Sequence, residues 1–167
     1  MAFSFGWRRG DAVVYRLYRP DDFAALYAIE EACFQPPFRF GRRYMRRLVS
    51  SADSATWIAE DGEGMAGFAI VEWQAEHGTA MAYLQTIEVA PERRGHGVGA
   101  ELLLRVETSA RAAGAQSIWL HVSAENAGAI RLYEAAGYRG EGREEDYYGP
   151  GMAGLIYGKE LAGESAS

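Results

Sequence analysis

The interleaving of helix-like and strand-like patterns in this chain predicts one mixed α/β domain, a sheet covered by helices on both faces. Three observations carry that expectation. Apolar periodicities run in the order β-α-α-β-β-β-α-β-α-β-β, and helices inserted among strands must pack across a sheet. The 167 residues, 49% apolar and 24% charged, suit a single hydrophobic core and contain no internal repeat. A glycine-dense turn, Glu92-Arg93-Arg94-Gly95-His96-Gly97-Val98-Gly99-Ala100, links a strand to a helix past the middle of the chain.

Residues 1–11 form a lead-in with three aromatics, and residues 12–161 form the domain. Val13 to Tyr18 reads as a first strand. Pro20-Asp21-Asp22 opens a helix, since proline and acids suit a helix N-terminus. Phe23, Leu26, Ile29 and Cys33 follow at helical spacing, and Pro36 and Pro37 stop the helix. A second helix spans Arg42 to Val49. Arg39, Arg42, Arg43, Arg46 and Arg47 make it basic; a solvated face is the plainer reading, a docking surface for an acidic partner or for the phosphates of a ligand the functional one.

Strands at Thr56–Glu60 and Met65–Trp73 flank the turn Asp61-Gly62-Glu63-Gly64. Gln74 to Gly78, with His77 facing solvent, turns the chain into a strand at Ala80–Val89. Beyond the glycine turn a helix carries Val98, Leu102, Leu103, Val106, Ala110 and Ala113, and Gly114 stops it. Ser117–Val122 is β-rich, Asn126–Ala136 is a helix stopped by Gly137, and Tyr138–Glu144 and Met152–Leu161 are the last strands. Residues 162–167 read as a flexible tail.

Composition excludes several classes. A net charge of −6 argues against general nucleic-acid binding. The one cysteine, Cys33, allows no internal disulfide, belongs to no cluster with metal spacing, and reads as a small buried hydrophobe. No apolar run has the length of a membrane span, and the first residues lack the apolar core of a signal peptide. A protein of the reducing cytoplasm is therefore expected, with no membrane and no metal.

The glycine turn carries the functional signal. Glycines on alternate positions let the backbone fold tightly and approach a ligand, and the first N–H groups of a helix carry partial positive charge. With two arginines beside them they predict a cradle for phosphate oxygens, most simply those of a pyrophosphate. A P-loop is excluded, because Ala100 and Glu101 follow Gly99 in place of lysine and a hydroxyl residue. Gly95, Gly97 and Ala100 meet a dinucleotide fingerprint loosely. That fingerprint belongs after a first strand and needs an acid where this chain has His121-Val122.

Arg94-Gly95-His96-Gly97-Val98-Gly99 resembles instead the Q/R-x-x-G-x-G/A signature of GNAT-type N-acetyltransferases, whose loop holds the pyrophosphate of acetyl-CoA. Asn126-Ala127-Gly128-Ala129-Ile130-Arg131-Leu132-Tyr133-Glu134-Ala135-Ala136-Gly137-Tyr138 resembles the second signature of that family, N-x-x-A-I-x-L-Y-E-x-x-G-F/Y. Tyr147-Tyr148 is similar to the paired tyrosines of its protein N-terminal branch, which includes ribosomal-protein alanine acetyltransferases. The resemblance covers roughly Tyr83 to Tyr148 well and the N-terminal half only in pattern.

The resemblance implies a mostly antiparallel GNAT-like sheet and direct attack of a primary amine on acetyl-CoA, without metal. It assigns main-chain groups of Ile87, Glu88 and Val89 to the pantetheine arm and acetyl carbonyl. Amides of Arg94, Gly95, His96, Gly97, Val98, Gly99 and Ala100 would take the pyrophosphate, and Asn126 and Tyr133 would contact the cofactor. Tyr133 is also the implied general acid, its phenol being protonated at neutral pH.

His121 stands where the ribosomal enzymes usually carry a glutamate; some N-terminal acetyltransferases share Leu-His-Val there, with the histidine acting as base through water. A histidine with a reference pKa near 6.5 suits an α-amine near 8 better than a lysine near 10.4. Glu88 is the alternative base and Tyr83 a helper, while a route with no dedicated base also remains open. Tyr147 and Tyr148 would bond a peptide backbone, with Phe34, Pro37 and Phe38 walling the other side. Glu144, Glu145 and Asp146 read either as an attraction for a cationic amine or as a solvated turn.

The branch's Gly-Glu-Asp-Ala after the tyrosines is replaced here by Gly149-Pro150-Gly151-Met152. The acceptor therefore stays open between a protein N-terminus and a small amine (polyamine, amino acid or antibiotic). A non-catalytic acyl-CoA-binding module is the third reading, and the assembly is a monomer or homodimer.

Overall fold

In a computed structural model, which describes residues 12–76 and 79–161, β1 (Val14–Leu17) leads through a 3-10 turn at Pro20–Asp22 into α1 (Phe23–Cys33) and α2 (Arg42–Ser50). Three strands follow, β2 (Ser54–Asp61), β3 (Gly64–Glu76) and β4 (Thr79–Val89). Then come α3 (Val98–Ala112), β5 (Ala115–Ser123), α4 (Ala127–Ala135), β6 (Arg139–Glu144) and β7 (Gly154–Glu160). The element order is the expected one. The lead-in, the His77 turn and the tail lie outside the described residues.

The seven strands form one sheet in the order β1-β2-β3-β4-β5-β7-β6. Every neighbouring pair is antiparallel except β4 and β5, which run parallel. Alternation along the strands feeds two cores. On one face α3 lays Leu102, Leu103, Val106 and Ala110 against Ala69, Val71, Leu84, Ile118 and Leu120. On the other, Phe23, Leu26 and Ile29 of α1 and Met45 and Leu48 of α2 cover Ile58, Phe68 and Ile70. Each fully buried leucine or isoleucine contributes roughly 1.5–3 kcal/mol, so the two helical layers hold the sheet in place.

The basic second helix packs by its aromatic neighbours. The Arg42 guanidinium lies 4.6 Å from the Tyr27 ring centre, that of Arg46 3.8 Å from Phe23, and that of Arg47 4.9 Å from Tyr44. Arg39 donates to the carbonyls of Phe34 and Glu31. These contacts favour a covering, solvated face.

Several boundaries differ from expectation by one to a few residues, two of them for visible reasons. The turn placed at Gln74–Gly78 is shorter, because polar residues continue to pair as far as Glu76 and Thr79. Asn126 is the N-cap of α4, its Oδ1 accepting from the Ala129 N–H at 3.1 Å.

Two irregularities prepare the site. Leu84 pairs with Val71 but Thr86 with Ile70, so Gln85 is an extra residue in β4, a bulge. Pairing between β4 and β5 ends at Tyr83 and Trp119, and beyond that rung the strands part.

Candidate active site

The glycine turn lies between β4 and α3. Gly95 and Gly97 hold φ of 82° and 80°, in the left-handed region that side chains disfavour. A Cβ at either would meet nothing within 4 Å, so this side of the turn opens on free space. α3 has no side-chain cap, and the N–H groups of Gly95, Gly97, Val98 and Gly99 find no acceptor among the described residues. Unpaired donors at the N-terminus of a 15-residue helix fit phosphate oxygens.

The two arginines have separate tasks. Arg93 grips Asp61 with two hydrogen bonds, Nε to Oδ2 at 2.6 Å and Nη2 to Oδ1 at 2.9 Å, bracing the turn against β2. Those bonds hold the Asp61 carboxyl down at a pKa of about 2. Arg94 Nε donates to the Val89 carbonyl at 3.1 Å, and its Nη2 approaches Cys33 Sγ at 3.4 Å. Cys33 is half-buried rather than buried, and burial raises its thiol pKa. Val98 is buried, and a Cβ at Gly99 would lie 3.4 Å from the Leu132 side chain and 3.7 Å from that of Val89. His96 and Ala100 are exposed on the turn and first helical residues.

Where β4 and β5 part, a cleft of about 110 Å³ is lined by Phe34, Phe38, Gln85, Thr86, Ile87, His121, Asn126, Tyr133 and Tyr148 among others. Tyr133 is 5% exposed, and its hydroxyl has no hydrogen-bond partner among the described residues. Burial, then the Tyr148 and Glu88 side chains, push its pKa up, so the phenol keeps its proton.

Tyr83 Oη lies 2.6 Å from His121 Nδ1. Burial first, and the Tyr147 hydroxyl second, raise the Tyr83 pKa, so the phenol keeps its proton and is able to donate it to Nδ1. The other ring nitrogen of His121, Nε2, lies 3.3 Å from Glu144 Oε1. The His121 ring stacks on Tyr147 at 4.1 Å and 5°. Tyr147 meets Tyr148 edge-on at 4.8 Å, and Tyr148 tilts against Phe38 at 4.9 Å. Burial, then Tyr147, push the Tyr148 phenol up to about 12. This aromatic ladder joins β5 to both flanking loops.

Of the three acids near residue 145, only Glu144 meets the site. Glu145 pairs with Arg143 at 2.5 Å, and Asp146 accepts from the Gly151 N–H at 2.7 Å. Pro37 is exposed beside the Gly149 turn and does not line the cleft.

Glu88 also lies apart from the cleft lining. It is 3% exposed, accepts from Thr86 Oγ1 at 2.8 Å, and neighbours the fully buried Glu30 of α1. Burial first, and the Glu30 carboxyl second, raise its pKa far above the usual carboxylate range. Surroundings that favour the protonated form make this carboxyl a weak acceptor for an amine proton.

Sequence reasoning missed Gln85, whose Oε1 accepts from Tyr44 Oη at 3.2 Å and whose Nε2 donates to Glu72 Oε1 at 2.5 Å. It missed the Asp61 brace and the burial of Glu30 as well. Among the described residues no cluster of three or more His, Cys, Asp or Glu side chains is placed to hold a metal ion. No helix among them is long and apolar enough to cross a membrane.

Unpaired N–H groups at a helix N-terminus lie beside parted strands, with the Tyr133 phenol and the Tyr83–His121 pair close by, an arrangement that suits group transfer from a phosphate-bearing donor. The model of the acetyltransferase (GNAT) family matches residues 23–138, and the chain belongs to that family. Acetyl-CoA is its acetyl donor, and the cradle and the open strand edge fit such a molecule.

Over 134 residues the chain is 34% identical to the [ribosomal protein bS18]-alanine N-acetyltransferase of Escherichia coli (strain K12), covering 76% of this chain and 81% of that protein. Over 88 residues it is 40% identical to streptothricin acetyltransferase of Streptomyces lavendulae, covering 52% of this chain. That match spans about half, 46%, of the streptothricin enzyme's length. Arabidopsis thaliana NAA60 in complex with acetyl-CoA superposes with a TM-score of 0.80 at 22% identity, over 91% of this chain and 100% of that one.

Proposed function

We propose that this protein transfers the acetyl group of acetyl-CoA to a protein N-terminal α-amine, with Tyr83 and His121 as the proton-accepting pair and Tyr133 as the proton donor. The 2.6 Å contact between Tyr83 and His121 carries the reading. Bound acetyl-CoA supplies the electrophilic thioester carbonyl. Tyr83 Oη accepts a proton from the attacking amine while passing its own to His121 Nδ1. The imidazolium so formed donates through Nε2 to Glu144, which offsets its charge. Tyr133, protonated and unpartnered, gives its proton to the departing thiolate.

The N–H groups of Gly95, Gly97, Val98 and Gly99 hold the pyrophosphate, and the main-chain edge of Ile87 and Val89 positions the pantetheine arm, the Val89 carbonyl being already held by Arg94 Nε. The Asn126 oxygen is committed to its cap, so its NH₂ is the group left for the cofactor. Glu88 receives no role as base. Tyr148 and Phe38, in contact at 4.9 Å, frame the acceptor entrance, with Phe34 beside them and Tyr147 backing His121. Similarity over 81% of a ribosomal-protein alanine acetyltransferase supports the N-terminal acceptor. This reading sets the enzyme in the cytoplasm, where such amines and acetyl-CoA meet.

Incubation with acetyl-CoA and a panel of N-terminal peptides, internal-lysine peptides and polyamines tests it. Turnover of N-terminal peptides with little of the others is expected. Turnover of free amines alone would favour a small-molecule acceptor, the reading that the similarity to streptothricin acetyltransferase supports.

A further inference from the structure

A second cavity, of about 470 Å³, meets the first at His121 and Gln85. It is an uncovered part of the sheet, beyond the reach of α1 and α2. Strand alternation turns Glu72, Met81, Tyr83, Trp119 and Ile156 toward it. Glu72, Tyr83 and Trp119 are register partners on β3, β4 and β5, so they form one row across the face. Trp119 lies over Gly158, where a Cβ would approach its ring to 2.6 Å, and gives the groove a flat aromatic floor. Met81 is 46% exposed there. Apart from His121, Glu72 is the only charged residue of the lining, and it has no cationic partner among the described residues.

We propose that this groove selects acceptors carrying a second positive charge on an apolar stem, with Glu72 receiving that charge. The inference rests on the acetyl-transfer reading of the Tyr83–His121 pair. An amine reacting at that pair has its apolar stem over Tyr83, Met81 and the indole of Trp119. A cation one to two strand spacings away, about 5–10 Å, reaches the Glu72 carboxylate. Aromatic faces and a single carboxylate favour a lysine or arginine side chain, or the far ammonium of a diamine. Glu72 Oε1 is engaged by Gln85, leaving Oε2 for the incoming cation.

The test is a selectivity ratio, which misfolding does not alter. Steady-state kcat/KM is measured for peptides beginning Ala-Lys and Ala-Leu, and for 1,4-diaminobutane and butylamine, with the wild type, Glu72→Gln and Glu72→Lys. Wild type should prefer the cationic member of a pair by about tenfold, Glu72→Gln should bring the ratio near one, and Glu72→Lys should invert it. The arm that responds identifies the source of the cation. Equal ratios in wild type and Glu72→Gln overturn the groove assignment. Turnover of the amine pair without the peptides removes the N-terminal reading and leaves the groove to the diamine ratio. If none of the four is acetylated, both readings fall.

Discussion

Tyr83, on the last rung that β4 and β5 share, holds its Oη 2.6 Å from Nδ1 of His121, which lies beyond that rung on β5. In the proposed reaction the pair stands where the donor thioester and the acceptor amine meet, and its two members act as one proton acceptor, which has a measurable consequence for mutagenesis.

His121→Ala should lower kcat about 10²–10³-fold, within the usual range for loss of a general base, and Tyr83→Phe should cost a similar factor. Because each depends on the other, the double variant should be no worse than the worse single one. Steady-state kinetics of the four proteins decide it. Multiplying defects would mean that the residues act independently.

Arg93 and Asp61 brace the anion cradle from below, and both bonds lie within the strong, charge-assisted range. Asp61→Asn should raise the KM for acetyl-CoA several-fold while changing kcat less. Its folded pKa, about 2, is below the ordinary 3.8, so its stabilisation is complete above pH 4 and lost as pH falls toward 2. The variant should therefore be less stable by roughly 1–2 kcal/mol at pH 7, and the difference should shrink in acid. Denaturant titrations at pH 7 and pH 3 measure the full difference and its partial loss.

Much of this was legible before any coordinates, for identifiable reasons. Helical and strand periods gave the element order, because each amphipathic stretch has one face to bury. The glycines at 95 and 97 announced their positive φ through their spacing. The bulge at Gln85 left a trace that went unread. Ala82 and Leu84 face the α3 core, and so do Ile87 and Val89, a change from even to odd positions that only an extra residue permits. Glu30 left one too, since it continues the buried helical series Phe23, Leu26 and Tyr27. The approach of Glu144 to His121 had no local signal, because 23 residues separate them and the sheet order alone brings them together.

Glu88 and Glu30 make a buried acid pair that destabilises the fold as pH rises. Both folded pKa values are raised, so the native state retains protons that the unfolded chain loses above its ordinary pKa of 4.5. The stability is complete below that value and declines as pH climbs toward the folded pKa. Glu88→Gln keeps the shape and removes the titration. It should match wild type in melting temperature near pH 4 and exceed it by roughly 5 °C at pH 8. Thermal melts at the two pH values check this, and equal destabilisation at both would reject the account.

Tyr133 separates catalysis from stability. Its side chain is 5% exposed and lines the cleft, and its hydroxyl makes no hydrogen bond among the described residues, so the fold gains little from it. Tyr133→Phe should leave the melting temperature unchanged or slightly higher, since an unpaired polar group is removed. In the proposed reaction the same change deletes the proton donor for the departing thiolate and should lower kcat about 10²-fold, with the KM for acetyl-CoA little altered. A donor role further predicts that the defect shrinks for an acyl donor whose leaving group is more acidic than the coenzyme A thiol, because that anion needs less protonation. Comparing kcat for two such donors in wild type and Tyr133→Phe measures this, and a constant ratio would assign Tyr133 to packing alone.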